Sequence, residues 1–511
     1  MLPNRDRKGA GAVQCSPARE QGDRSIPLTD IRQTIEQFLH NSAETVLCEA
    51  GEESLPITAD NFLLETRGGW LSLQAWNDRR NLVRRVTGIE SQTRGKLVLR
   101  IQRFGHRTGT LSLVDLRRSA GENITLQSGR LEFREQFRRF LRRQFPTYKI
   151  AELTTGADLE HSLSPAYPRA FLRQGASAWA AIGASPDAFH CDGVLTFGLI
   201  WLDYLRLREP AAVIHGLILY LPADREKTTC LRLLFLNPEL AQFAAFVYTE
   251  EKIEERVDLR DYGNLDTRLE PYRRRLPSEL DGILAPLREI GDVEAIERSD
   301  GELSLRVRGM EFARTSGDEL RFGLDRRRSA GAAHAVEIRR LAEELSRFRS
   351  PGAVDRQNPL YLRNPEAWLE SQVRNDIEAI DARLLTAPIY GQVPAFAATD
   401  RGVLDLLAAD HAGRLAVLEL KASEDIHLPL QALDYWMRVK WHLDRREFSA
   451  RGYFPGIELR AEPPRLLLVS PALDFHPSNE RVLRYFSPAV EVERVGVSLE
   501  WQRELKVVFR S

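Results

Sequence analysis

Asp405, Glu419 and Lys421 are charged residues set in two otherwise apolar runs, GVLDLLAA and RLAVLELKA, that meet at a DHAGR break. Short apolar runs bounded by turn residues read as buried strands, where an unpartnered charge is costly. With DHAGR as the turn and Gly413 in its positive-φ position, residue 409 faces 415 and residue 408 faces 416. Antiparallel counting then brings Asp405 opposite Glu419, and directly opposed residues share a face with Cβ atoms roughly 4.5–5.5 Å apart. Lys421 lies two residues beyond Glu419 and points to the same side, whereas Leu418 and Leu420 point into the opposite layer. Two carboxylates forced this close repel unless a cation lies between them, and hard oxygen ligands suit Mg²⁺ or Mn²⁺. A lysine beside them can hold a phosphate oxygen or orient an attacking water, which is what phosphodiester hydrolysis needs. The alternative is a strand-end ion pair worth at most about 1 kcal/mol, and it leaves one carboxylate unpaired.

The elements around this hairpin extend the pattern. LPLQALDYWMRVKWHL reads as a helix with Pro429 in its first turn, and i,i+4 spacing puts Gln431 and Tyr435 on one face. Arg438 and His442 continue that line as a polar strip toward DNA, while Trp436 and Trp441 read as core. For Tyr435 the alternative is a core aromatic with a satisfied hydroxyl. Upstream, NPEAWLESQVRNDIEAIDARL reads as one helix with Glu366 and Glu370 one turn apart. Asp410, His411 and His427 fall in turns or loops and are not counted in the site.

GVLD, ELK and QALDY, in that order, resemble the PD-(D/E)xK nuclease superfamily, most closely its RecB-type branch with GxxD, ExK and QxxxY motifs. The resemblance spans residues 358–475 and implies a restriction-endonuclease-like core, a mixed central sheet flanked by helices. By that resemblance Asp405 and Glu419 are acidic metal ligands, with Leu404 replacing the usual proline and the backbone carbonyl of Leu420 as a further ligand. Lys421 matches the catalytic lysine, and Gln431 and Tyr435 match the pair that supports the site or substrate. Glu370 is the choice for the metal-shell glutamate of the preceding helix, with surface charge as its alternative and Glu378 as another candidate. The implied chemistry is Mg²⁺-dependent (Mn²⁺ possible) hydrolysis of DNA with metal-activated water as nucleophile. DNA repair and defence against foreign DNA both fit. An RNA-acting nuclease of the same fold and a non-catalytic nucleic-acid-binding or scaffold protein are the alternatives.

The chain has 511 residues, enough for about three domains. Its 72 Lys and Arg nearly cancel 73 Asp and Glu, so no global basic field exists and any nucleic-acid contact must be local. Cys15, Cys48, Cys191 and Cys230 form no CxxC or zinc-ligand spacing, which fits a reducing cytoplasm. The longest apolar stretch, GVLTFGLIWLDYL, is short and broken by Asp203, which argues against a membrane span. No oligomeric state follows from the sequence.

Fold class reads as multidomain α/β, with a β-rich and an α/β region ahead of the C-terminal core. Residues 1–25 read as a disordered tail and 26–128 as an α+β region. The latter opens on a helix in SIPLTDIRQTIEQFLHN, with Thr29 or Asp30 as N-cap, and ends on a hairpin in KLVLRIQRFGHRTGTLSLVDL. Residues 129–275 read as an α/β domain entered by FREQFRRFLRRQF, with Phe133, Phe137, Phe140 and Leu141 on one face. The arginines between them form either a solvated face or a contact to a nucleic-acid backbone. From that helix to VIHGLILYL the element order repeats the nuclease outline, but AWAAIGA stands where ExK would, with no acid and no base. That suggests a degenerate nuclease-like core, with an unrelated α/β domain as the alternative. LRLLFLN and AAFVYTE read as β-rich. Residues 276–357 read as a β-rich segment, a helix and the linker RSPGAVDRQNP, ahead of the nuclease domain at 358–511.

Overall fold

Two of the N-terminal strands, Thr45–Glu49 and Lys96–Gln102, alternate buried residues with half-exposed or exposed ones, so each turns one face to a core. In the computed structural model, which describes residues 27–511 apart from short stretches such as 116–122, 274–280 and 395–402, seven strands form an antiparallel sheet. The expected tail, 1–25, lies outside the described residues. Helix Leu28–Asn41 covers the sheet with Ile31, Ile35 and Phe38. Its N-cap is Pro27 rather than Thr29 or Asp30, because the carbonyl of Pro27 already accepts from the amides of Asp30 and Ile31. Lys96–Gln102 pairs antiparallel with Thr108–Asp115, as the hairpin reading expects.

The five strands from Val293 to Ala330 form an antiparallel meander backed by helix Ala335–Phe348. This unit is wedged against the helix that leads into the C-terminal half. Gly309, at φ 77°, sits so close to that helix that a Cβ would lie 1.8 Å from the carbonyl oxygen of Ala367. Gly309→Ala is therefore expected to lower stability by about 2–4 kcal/mol in chemical denaturation, through the positive φ and the backbone clash together. The stretch read as a linker is anchored at its start: Arg349, fully buried, donates to the carbonyls of Arg308, Leu360 and Asn364 at 3.0, 3.1 and 2.8 Å.

The middle and C-terminal halves share one plan. Strands Lys149–Thr154, Arg169–Gln174, Ser177–Gly183, Val213–Pro222, Gln242–Tyr248 and Glu254–Arg256 lie side by side in that order. The first three join antiparallel, the third to fifth are parallel, and the last reverses. Strands Tyr390–Pro394, Val403–Ala409, Leu415–Leu420, Arg465–Pro471, Val492–Val497 and Val507–Arg510 repeat that order with every sense the same. A helix precedes each sheet, Asn123–Gln144 and Pro365–Asn375. A crossover helix follows each third strand, Val194–Arg208 and Leu428–Asp444, and a short helix follows each fourth, Lys227–Leu233 and Ser478–Leu483. Phe133, Phe137, Phe140 and Leu141 are buried as expected, while Arg143 pairs with Glu254 and Arg138 with Glu135.

One expectation fails here: LRLLFLN is not β-rich. It ends the helix Lys227–Leu233, in which five successive residues, Thr229 to Leu233, are buried. A helix wedged between two layers buries residues on every side, which removes the 3.6-residue period that would have revealed it.

The two halves meet reciprocally. Each crossover helix packs on the short helix of the other half. The Asn237 amide donates to the Tyr485 carbonyl and the Ser487 amide to the Phe235 carbonyl, both at 2.8 Å, around a bridge between Leu236 and Phe486. The crossover helices carry LDYL and LDYW at matching places, and seven residues before each aspartate lie Thr196 and His427, in contact at 3.0 Å through Oγ1 and Nδ1. Positions that contact their own counterparts mark a two-fold relation, here between two segments of one chain. One apolar cluster runs through both halves, from Leu199 and Trp201 to Leu433, Trp436 and Phe486.

Candidate functional site

The site is built on the DHAGR hairpin. Observed pairs are Ala409 with Leu415, Ala408 with Ala416, Leu407 with Val417 and Leu406 with Leu418, so the next step brings Asp405 opposite Glu419, as the sequence counting expects. The turn is held by Asp410, whose Oδ1 accepts from the amides of Ala412 and Arg414 at 2.9 and 2.8 Å. Gly413 has φ 85°, and a Cβ there would lie 2.1 Å from the Glu458 carbonyl oxygen. Turn chemistry thus sets the register, and the register sets the site.

Asp405 Oδ2 accepts from the Leu420 amide at 2.8 Å, which pins the carboxylate across the strand pair. Glu419 is 3 % exposed, and its Oε2 is buried with no hydrogen-bond partner. Burial raises the Asp405 carboxyl to about 7, with Lys421 opposing the rise. Burial and then the Asp405 charge push Glu419 well above the usual carboxylate range. Burial favours the neutral amine at Lys421, yet Glu366, Asp425, Glu419 and Asp405 outweigh it and hold the ammonium charged. Its Nζ lies 3.8 Å from Glu366 Oε1 and 3.9 Å from Asp425 Oδ2. Lys421 is therefore a fixed positive charge here, suited to an anionic oxygen rather than to proton abstraction.

Helix Leu428–Asp444 starts with Pro429 in its first turn and carries Gln431 and Tyr435, both half-buried. Tyr435 stays protonated because burial, then Glu419 and Asp405, disfavour the phenolate, so its hydroxyl is a donor within the field of the two carboxylates. The expected strip of Arg438 and His442 does not reach outward. Both are buried, and His442 is held by Glu447 and by Thr267 at 3.0 Å, because this face of the helix packs inside the protein. Trp436 is core, whereas Trp441 is half-exposed under the guanidinium of Arg445, 3.3 Å from its ring centre.

The upstream stretch read as one helix breaks at Asp376, which caps the short helix Ile377–Ile380. Glu378 is exposed on that second helix. Glu370 is buried but bound to Arg374 Nη2 at 2.6 Å and faces Arg306 Nη1 at 3.7 Å, so two guanidinium groups already share its charge. Glu366, one turn earlier, is the glutamate beside Lys421. Asp425 is a site neighbour that the sequence reading missed; its i,i+4 offset from Lys421 is meaningful only once the loop is folded. His427 lies in a turn, as expected, but it is the N-cap of the helix and, 4 % exposed, is buried at the seam between the halves.

Among the described residues, no group of three or more His, Cys, Asp and Glu is placed to hold a metal ion. Two facing carboxylates nevertheless fit Mg²⁺, which usually takes one or two carboxylates and completes its shell with water and substrate phosphate. The orphaned Glu419 Oε2 and the mutual repulsion of the pair are what a divalent cation relieves. Asp405, Glu419 and the carbonyl of Leu420 are the groups that would hold it.

The middle half has matching positions with different chemistry. The Ala184 amide bonds to the Tyr220 carbonyl as the Lys421 amide bonds to the Val469 carbonyl. Two residues beyond each acceptor, a Pro-Ala pair follows, Pro222-Ala223 and Pro471-Ala472, with Ala223 and Ala472 bonded to the adjacent strand at 2.9 Å. Ala184 therefore stands where Lys421 stands and Ile182 where Glu419 stands. Ile182 pairs with Arg169, which places Arg169 at the position of Asp405. No family model matches the chain, and no curated protein matches it either.

Proposed function

We propose that the chain is a metal-dependent nuclease of the PD-(D/E)xK type, with residues 358–511 as a restriction-endonuclease-like core acting on DNA. The observation that carries this reading is the facing pair Asp405 and Glu419, one oxygen of it buried without a partner, beside a lysine held protonated. A divalent cation bound there supplies Lewis acidity and lowers the pKa of a coordinated water. Lys421 neutralises a non-bridging phosphate oxygen as charge develops in the transition state. Tyr435 donates its hydroxyl from the helix above, and Gln431, one turn earlier on the same face, helps position the strand. A non-catalytic scaffold has no use for a carboxylate pair whose removal from water raises both pKa values, with the Asp405 charge adding to the rise at Glu419, so the enzyme reading is favoured over it.

The test is cleavage of linear, circular and single-stranded DNA and of RNA with and without Mg²⁺, comparing wild type with Asp405→Asn and Lys421→Ala. Each substitution is expected to lower the rate by about 10²–10³ or more, the typical scale for losing one group that stabilises transition-state charge. Equal rates in all three proteins, or no cleavage of any substrate by wild type, refutes the reading. Faster cleavage of RNA than of DNA reassigns the substrate.

A further inference from the structure

The reciprocal seam makes this single chain resemble a dimer of two α/β units, and only one unit keeps the chemistry. Both third strands feed crossover helices whose N-terminal ends meet through Thr196 and His427. The two equivalent sites therefore flank one pseudo-two-fold axis. Duplex DNA has two-fold axes of its own that relate its antiparallel strands, so a pair of equivalent centres could address one strand each.

The second centre is closed rather than merely depleted. Ile182 and Ala184 offer no ligand and no cation in place of Glu419 and Lys421. Arg169, 2 % exposed, puts a guanidinium where Asp405 has its carboxylate. That guanidinium is fixed by the carbonyls of Ser164 at 2.5 Å and Gly156 at 2.6 Å. The Tyr248 hydroxyl donates to the Ala184 carbonyl at 2.7 Å, which closes the end of the strand. A buried, anchored positive charge repels a divalent cation, so the position cannot recover activity by binding metal weakly.

Resting on the nuclease reading above, we propose that this chain is a one-centre pseudo-dimer that breaks one strand of a DNA duplex per binding event, releasing nicked rather than doubly cut product. The middle half keeps the shape of the second protomer and supports the working half through the shared core, while the hydrolysis occurs only at Asp405, Glu419 and Lys421: a water oxygen bonds to phosphorus, the P–O bond to one sugar oxygen breaks, and that departing oxygen takes up the proton the water loses.

The experiment uses the full chain with Mg²⁺ and two substrates in large excess over enzyme: a supercoiled plasmid, and a linear duplex with a different fluorophore on each strand. The expected result is nicked circle without linear product until the supercoiled pool is exhausted, or, on the linear duplex, molecules cut in one colour only. Linear plasmid appearing alongside the first loss of supercoils, or molecules of the linear duplex cut in both colours at early times, overturns the one-centre proposal and leaves the nuclease reading standing. No cleavage of either duplex overturns the one-centre proposal, and if the single-stranded DNA and RNA of the assay above are also left intact, the nuclease reading falls with it. Arg169→Met is the second variant: retained nicking by a folded protein supports a middle half without chemistry, and loss of cleavage with the fold intact overturns it.

Discussion

Glu419→Gln is expected to abolish Mg²⁺-dependent cleavage and, in the same protein, to raise the stability of the metal-free state. The two effects have one cause. Glu419 is 3 % exposed, has an oxygen without a partner and faces a second carboxylate, so its charge is costly in the metal-free protein, and the proposed cation would offset that cost. Glutamine keeps the shape, removes the charge and offers Asp405 a hydrogen-bond donor. Cleavage is expected to fall at least about 10³-fold, while the metal-free protein gains about 1–3 kcal/mol. Thermal or urea unfolding in a chelator, set beside the cleavage rate, checks both; a variant that is less stable without metal would remove the argument that the pair exists for a cation.

The same pair predicts the pH dependence. The Asp405 carboxyl titrates at about 7 in the folded protein because it is buried, against an ordinary value of about 4 when the chain is unfolded. Between those values the folded state binds the extra proton, so this group's contribution makes the metal-free protein less stable as pH rises through that window. Asp405→Asn is expected to remove that slope, and Mg²⁺ to oppose it by favouring the ionised form. A difference in pH dependence of zero between wild type and Asp405→Asn would contradict the burial argument.

Arg232→Ala is expected to have the largest cost in stability, about 3–5 kcal/mol, because it breaks a pair at the seam between the halves. Arg232, 4 % exposed, makes two bonds to Asp434 at 2.8 and 2.7 Å and a third to the Asp192 carbonyl. Asp434 is left without those donors, on the helix that positions Tyr435. Its counterpart across the pseudo-two-fold is Asp203, which meets Arg484 at 3.2 Å and Arg481 at 3.8 Å. Arg484 is more than half exposed, so Arg484→Ala is expected to cost only about 1 kcal/mol. Arg232→Met combined with Asp434→Leu should recover most of the loss, since neither charge is then stranded. Denaturation midpoints of the four proteins check the order; equal losses for Arg232→Ala and Arg484→Ala would show that burial does not set the cost.

The sequence by itself determined the hairpin, its register and the three charges on one face. A turn of defined length, read with Gly413 at its positive-φ position, leaves one antiparallel pairing, and period-two alternation does the rest. Helix Leu428–Asp444 was legible for the same local reason, as was its inward Trp436. It also showed that AWAAIGA lacks an acid and a base. What only the tertiary structure decided depends on segments far apart in the chain. Glu370 is locally a good ligand, but Arg306, brought in by the meander, and Arg374 share its charge, while Glu366 lies beside Lys421. Arg438 and His442 continue the face of Gln431 and Tyr435 by spacing, but an interior surface receives them. Arg169 occupies the position of Asp405, and Thr196 meets His427 at the seam, through packing that leaves no local period in the sequence. Local geometry is set by neighbours along the chain, whereas the partner of a buried charge is set by whichever distant surface closes over it.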